Sequence, residues 1–259
     1  MRLERAMLVI NNIDLTTVGN EVYNLLKSEV SEKRQRMASQ YVFFDDAKRC
    51  ILAELLLQYS FYLKTGSLKN IEIEHNPYGK PYVVGEEGFS FNLTHSGKWV
   101  AIAYGGAGME IGLDIEEICF EQDDLPIHAF TVQEQTYINA ASDQGERVRR
   151  FTQMWTLKES YVKYIGTGFS TDLDSFSISM GETIEVQSSR QIQENVSFKN
   201  CLFQNDYYLS LCSSEENVVF QQINLEDLMR FIYEKKRHNK VNELVFQKEL
   251  MNDVMWREN

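Results

Sequence analysis

Hydrophobic and polar residues repeat with two different periods along this chain, and the switches between them mark its elements. Phe89, Phe91 and Leu93 alternate with Ser90, Asn92 and Thr94, which predicts a strand that ends by presenting His95. Residues 99–104 form a short apolar run closed by the turn Gly105-Gly106-Ala107-Gly108. Ile111, Leu113 and Ile115 then alternate with Gly112, Asp114 and Glu116, the pattern of a half-buried strand. Asp114 and Glu116 point the same way on it, about 6.5–7 Å apart. Three strands so close together predict a β-meander. Met7–Ile13 and Ile71–Glu74 read as further strands, and two of the three prolines fall in the turn at 75–83.

The other period is helical. Glu21–Arg36 reads as one helix ending in the charged run Ser-Glu-Lys-Arg-Gln-Arg. Asp45 or Asp46 can cap the next, which ends near Gly66, and Thr131 can cap a third. Around Arg149–Ile165, Met154, Leu157, Tyr161 and Tyr164 make an apolar stripe, while Trp155, Glu159 and Lys163 follow at four-residue steps on another face. This helix ends at Gly166-Thr167-Gly168. Four short strands follow, at 176–180, 183–189, 196–203 and 207–213. From Asn224 a capped amphipathic helix begins (Leu225, Leu228, Met229, Ile232), then a basic run and a weaker helical pattern.

Composition narrows the classes. The net charge is −12, with 38 acidic and 26 basic residues, which argues against a nucleic-acid partner. Residues 1–100 are neutral, so an anionic ligand settles more easily on that part. The four cysteines are widely spaced, which suits neither a zinc site nor a disulfide framework, so buried reduced thiols are expected. No apolar stretch is long enough for a membrane span, and the N-terminus reads as a strand rather than a signal peptide. A cytoplasmic protein without a membrane or nucleic-acid partner is the expectation.

Single motifs carry little. Gly106 and Gly108 match the start of a dinucleotide-binding fingerprint, but position 111 is Ile and a strand follows where a helix is required, so a hairpin turn is the better reading. Asp114 and Glu116 alone are ordinary solvated acids, and Glu159 with Lys163 an ordinary helix ion pair. Three carboxylates and a lysine on two rigid elements can, however, hold a hard cation against a phosphate-bearing substrate.

In chain order the motifs run Gly79-Lys80-Pro81, Phe91-Asn92-Leu93-Thr94-His95-Ser96, Ile111-Gly112-Leu113-Asp114-Ile115-Glu116, Trp155-Thr156-Leu157-Lys158-Glu159-Ser160-Tyr161-Val162-Lys163 and Gly166-Thr167-Gly168. This series resembles the Sfp-type 4′-phosphopantetheinyl transferases over about residues 7–215. Thr94 stands where Ser is commoner in that family, and Leu113 where Ile or Val is.

The resemblance implies an α+β fold of two similar halves related by a pseudo-twofold axis, each a small antiparallel sheet with a packed helix. The expected division is residues 1–117, 118–222 and a helical extension at 223–259. Asp114 and Glu116 would then come from the first half and Glu159 from the second. The implied reaction transfers phosphopantetheine from coenzyme A to a serine of an apo acyl or peptidyl carrier protein and releases adenosine 3′,5′-bisphosphate. The family pattern implies Mg²⁺ on Asp114, Glu116 and Glu159. It implies catalysis by Glu159, Lys163 and His95, and coenzyme contacts from Lys33, Arg36, Arg49, Lys80, Thr94, His95 and Lys163. Lys158 is expected to point elsewhere. A monomer is expected, and residues 119–137 are expected to meet the carrier. The rivals are a non-catalytic module that binds coenzyme A or the carrier, and a Mg²⁺-dependent hydrolase.

Overall fold

The computed structural model describes residues 8–119, 125–188 and 196–255. Its first half runs β1 (Leu8–Asp14), α1 (Asn20–Lys27), α2 (Glu32–Ala38), α3 (Phe44–Thr65), β2 (Ile73–His75), β3 (Pro81–Val83), β4 (Ser90–Ser96) and β5 (Trp99–Gly105). The second runs β6 (Ile111–Glu117), α4 (Val132–Asn139), α5 (Gln144–Ile165), β7 (Phe176–Met180), β8 (Ile184–Ser188), β9 (Ser197–Phe203) and β10 (Tyr207–Ser213). Strand β11 (Val218–Gln222) and helix α6 (Leu225–Met255) complete the described chain.

The halves repeat one succession: a strand, a 22-residue helix, a two-stranded hairpin and a second hairpin that pairs back on the first strand. The sheets accordingly order as β1-β5-β4 and β6-β10-β9, with β11 added in parallel outside β1. Both long helices stop at a glycine in the left-handed region, Gly66 and Gly166, each at φ 70°, where a side chain would be strained.

The expected meander does not form. β6 leaves β5 and pairs with β10 over Ile111–Glu117. The structural joint therefore falls in the turn at 105–111 rather than at 117/118, so Asp114 and Glu116 open the second half and share it with Glu159. A short connection limits where a strand can go but does not choose its partner; the buried faces do.

Those faces stack as helix, sheet, sheet, helix. Val100, Ile102 and Tyr104 of β5 pack toward α3, while Trp99, Ala101 and Ala103 meet Ile111, Leu113, Ile115, Leu209 and Leu211 of the other sheet. Coverage on both sides explains the unbroken apolar run at 99–104. It also corrects the half-buried reading of β6, whose outer face lies under α5. A Cβ on Gly112 would run into the backbone of Ser160 and Tyr164, so helix and strand approach as closely as only glycine allows.

Three local expectations also change. The helix expected over Glu21–Arg36 breaks at 28–31, where the Ser31 side chain accepts the Arg34 N–H and starts α2. Phe43, not Asp45 or Asp46, is the N-cap of α3, and both acids lie in its first turn, where they favour the helix dipole. Cys50 and Cys212 are buried, whereas Cys119 and Cys201 are exposed; all four are free.

Candidate functional site

The site forms where β4 of the first half crosses β6 of the second. Asn92, Thr94 and Ser96 lie on one face of β4, as the period of two requires. Their side-chain oxygens accept the backbone N–H groups of Leu113 (2.8 Å), Ile115 (3.3 Å) and Glu117 (3.0 Å) in turn. Side chains thus take the place of a main-chain ladder along this edge. The intervening His95 leaves the strand on the opposite side from these rungs and is exposed at the rim of the groove.

These rungs fix the carboxylates. Asp114 is buried; its Oδ1 accepts from Lys163 Nζ at 2.5 Å and from Thr94 Oγ1 at 3.2 Å. Its Oδ2 is buried and has no hydrogen-bond partner. Ser96 Oγ donates to Glu116 Oε2 at 2.8 Å. Lys163 also donates to the Leu113 carbonyl at 3.2 Å. Four-residue spacing on α5 brings Glu159 and Trp155 onto the same side as Lys163.

Thr94, His95, Asp114, Glu116, Glu159 and Lys163 together line one groove of about 470 Å³. It shares Leu93, Trp155, Glu159 and Lys163 with a neighbouring cavity of about 750 Å³, whose wall includes Lys80. Lys80 Nζ is tied to the Tyr164 carbonyl at 3.2 Å and lies 3.5 Å from Glu110. Arg49 sits behind His95, donating to the Gly97 carbonyl and pairing with Asp46 at 2.5 Å. Lys33 and Arg36 do not reach the groove: both are exposed, and Arg36 pairs with Glu32 at 3.4 Å. The cation of that run which lines the groove is Arg34, not singled out from the sequence. The signal for it was Glu54, an acid inside the apolar run of α3 that needs a buried partner; Arg34 Nε donates to it at 3.1 Å. Lys158 points away and is fully buried against Glu134.

Electrostatics in the groove follow from crowding. Burial first, then the Asp114 charge, push Glu116 up to about 7. The same two causes raise Glu159. Burial raises Asp114, partly offset by Lys163. Desolvation, then Arg49 and Lys163, lower His95. Among the described residues no three His, Cys, Asp or Glu side chains already converge as a metal cage. The donor set nevertheless suits a hard cation: hard oxygen ligands, one buried carboxylate oxygen without a partner, and mutual repulsion that a positive charge would relieve.

A pH dependence follows. Glu116 keeps its proton in the folded state up to about pH 7, whereas in the unfolded chain it loses it in the ordinary carboxylate range. Between those two values the folded state binds the extra proton, so this group's contribution to stability is lost as pH rises through about 7. A cation bound to the ionised groups acts in the opposite sense. Calorimetric melting should therefore show a larger Mg²⁺-induced rise in Tm at pH 8 than at pH 5.5. Equal shifts at both pH values would rule these carboxylates out as the binding site.

Comparison with known proteins agrees with this division. Residues 110–212 match the model of the 4′-phosphopantetheinyl transferase superfamily, and residues 19–105 match that of the 4′-phosphopantetheinyl transferase N-terminal region. The two matches meet at the β5–β6 turn. The chain is 32% identical over 216 residues to the 4′-phosphopantetheinyl transferase gsp of Aneurinibacillus migulanus, covering 82% of this chain and 89% of that one. It is 29% identical over 161 residues to the 4′-phosphopantetheinyl transferase Sfp of Bacillus subtilis (strain 168), covering 61% and 70%. To the human L-aminoadipate-semialdehyde dehydrogenase-phosphopantetheinyl transferase it is 27% identical over 161 residues, covering 57% and 52%. The chain belongs to the Sfp-type 4′-phosphopantetheinyl transferase family. It is an α+β enzyme of that class, and none of its described helices is long and apolar enough to cross a membrane.

Proposed function

We propose that this enzyme moves phosphopantetheine from coenzyme A to a serine of an apo acyl or peptidyl carrier protein, with Mg²⁺ held by Asp114, Glu116 and Glu159. The observation that carries the reading is the buried, unpartnered Oδ2 of Asp114, set beside two more carboxylates and an ammonium in one groove. When bound, Mg²⁺ neutralises pyrophosphate charge.

The protein's own groups account for the rest. Lys163, now paired with Asp114, turns to the pyrophosphate and stabilises the departing bisphosphate. The carrier serine oxygen bonds to the β-phosphorus, the bond from that phosphorus to the bridging oxygen breaks, and adenosine 3′,5′-bisphosphate leaves with the electron pair. The serine proton passes to Glu159, directly or through water. His95, with Arg49 behind it and Thr94 beside it, meets coenzyme phosphate at the first-half rim, and Lys80 adds positive charge from the adjoining cavity. The charged groove argues against a purely binding role, since coenzyme recognition alone has no need of Glu159 opposite Asp114.

The Sfp-type motifs favour carriers of nonribosomal peptide or polyketide synthesis, with fatty-acid carriers as a further class. Both halves lie in one chain, so a monomer holds the whole site, and four free cysteines suit the cytoplasm. Of the stretch expected to meet the carrier, residues 120–124 lie outside the described residues. Mass spectrometry of an apo carrier incubated with coenzyme A and Mg²⁺ should show a gain of one phosphopantetheine group. Unchanged mass with bound coenzyme A would favour a binding module, and coenzyme A consumed without carrier modification a hydrolase.

A further inference from the structure

Helix α6 lies beyond both family matches, yet it is packed into the first half. Leu228, Phe231 and Ile232 are buried in the core around α3, and Phe231 meets the rings of Tyr59 and Tyr62. Two lysines on its next turn, Lys235 half-buried and Lys236 exposed, pair with polar groups of the first half. Lys236 Nζ pairs with Glu29 at 2.6 Å, on the joint between α1 and α2. Lys235 Nζ donates to Gln58 Oε1 at 2.6 Å. The amide of Gln58 donates in turn to Glu54 Oε1 at 3.3 Å.

Glu54 is the hub. It is buried, and its two oxygens accept the Ser31 N–H (2.6 Å), the Ser31 hydroxyl (3.0 Å) and Arg34 Nε (3.1 Å). Ser31 is the N-cap of α2, so Glu54 fixes both where that helix begins and where Arg34 points. Arg34 lines the groove with Asp114, Glu159 and Lys163. A continuous polar path thus runs from α6 to the groove wall.

We infer that Arg34 is a further phosphate-contacting residue of the groove, and that Lys235, acting through Gln58 and Glu54, is its positioning residue. This rests on the proposed coenzyme A reaction. The chemistry suits it. Arg34 Nε is spent on Glu54 and Nη1 contacts the Cys50 and Met37 sulfurs at 3.9 and 4.0 Å, which holds the guanidinium rigidly and leaves Nη2 to meet a phosphate oxygen at small entropic loss. Lys235 touches no groove residue, so its effect must come through that path.

The test combines calorimetric binding of coenzyme A in Mg²⁺ with steady-state transfer to an apo carrier, on the full chain. Arg34→Gln should weaken coenzyme binding by about tenfold or more. Lys235→Met should raise KM for coenzyme A several-fold with kcat and KM for the carrier unchanged, and Lys235→Arg should restore it. A Lys235→Met protein with lowered Tm but wild-type KM would make α6 a stabilising strut only, and wild-type affinity in Arg34→Gln would remove Arg34 from the groove's contacts; either overturns the inference. Wild-type protein that binds no coenzyme A would instead overturn the proposed function and this inference with it.

Discussion

Replacing Asp114 by asparagine should abolish Mg²⁺-dependent labelling of an apo carrier, with a loss of at least about a hundredfold. The side chain keeps its shape, so Thr94 and the β4 rungs retain their partners. What disappears is the charge that both balances Lys163 and offers Oδ2 to a cation. The fold itself should not suffer. Burial already disfavours the ionised carboxylate, and Lys163, which is partly exposed, can turn to water. The metal-free variant should accordingly melt at or above the wild-type temperature while losing the Mg²⁺-induced rise in Tm. A protein that melts normally and labels at a near-normal rate would refute the assignment of Asp114.

Lys158, the neighbour of Glu159 in sequence, should behave in the opposite way. Its ammonium is fully buried and contacts both oxygens of Glu134 and the Phe176 carbonyl, each at 2.7 Å. Glu134 also accepts the Ile178 N–H at 2.7 Å and the Thr131 N–H at 2.9 Å, so one ion pair joins α4, α5 and β7. Lys158→Met leaves a carboxylate buried without its counter-charge and should cost about 3–5 kcal/mol in urea denaturation. Combining it with Glu134→Gln should recover part of that loss, because the stranded charge is gone. Activity per folded molecule should stay near normal at low temperature. A stability change below about 1 kcal/mol would show the pair to be energetically idle.

The contrast between these neighbouring residues shows what was legible in the chain. Helical periodicity separates Glu159 from Lys158 by about 100° around α5, enough to predict that they face different surroundings. The strands that carry His95, Asp114 and Glu116, the stop at Gly166 and the apolar stripe of α5 were readable because each depends on local chemistry. The partner of β6 was not, since the preference of that strand for β10 over β5 lies in the packing of two sheets. For the same reason β11 was missed: an exposed edge strand needs no strong pattern of its own to pair with β1. Within α2, three cations stand close together, and composition cannot say which is turned inward. Glu54 selects Arg34 from across the fold, leaving Lys33 and Arg36 in solvent.

The seam between β4 and β6 has a consequence for how this molecule can change. A main-chain ladder accepts almost any sequence, because amides are common to all residues. A seam of Asn92, Thr94 and Ser96 does not: each rung needs a short side chain with an acceptor at one height above the strand. The two halves are therefore not interchangeable modules. A chimera that takes its first half from a distant relative would keep each half's own sheet and still misplace the acids, unless that donor brought matching rungs.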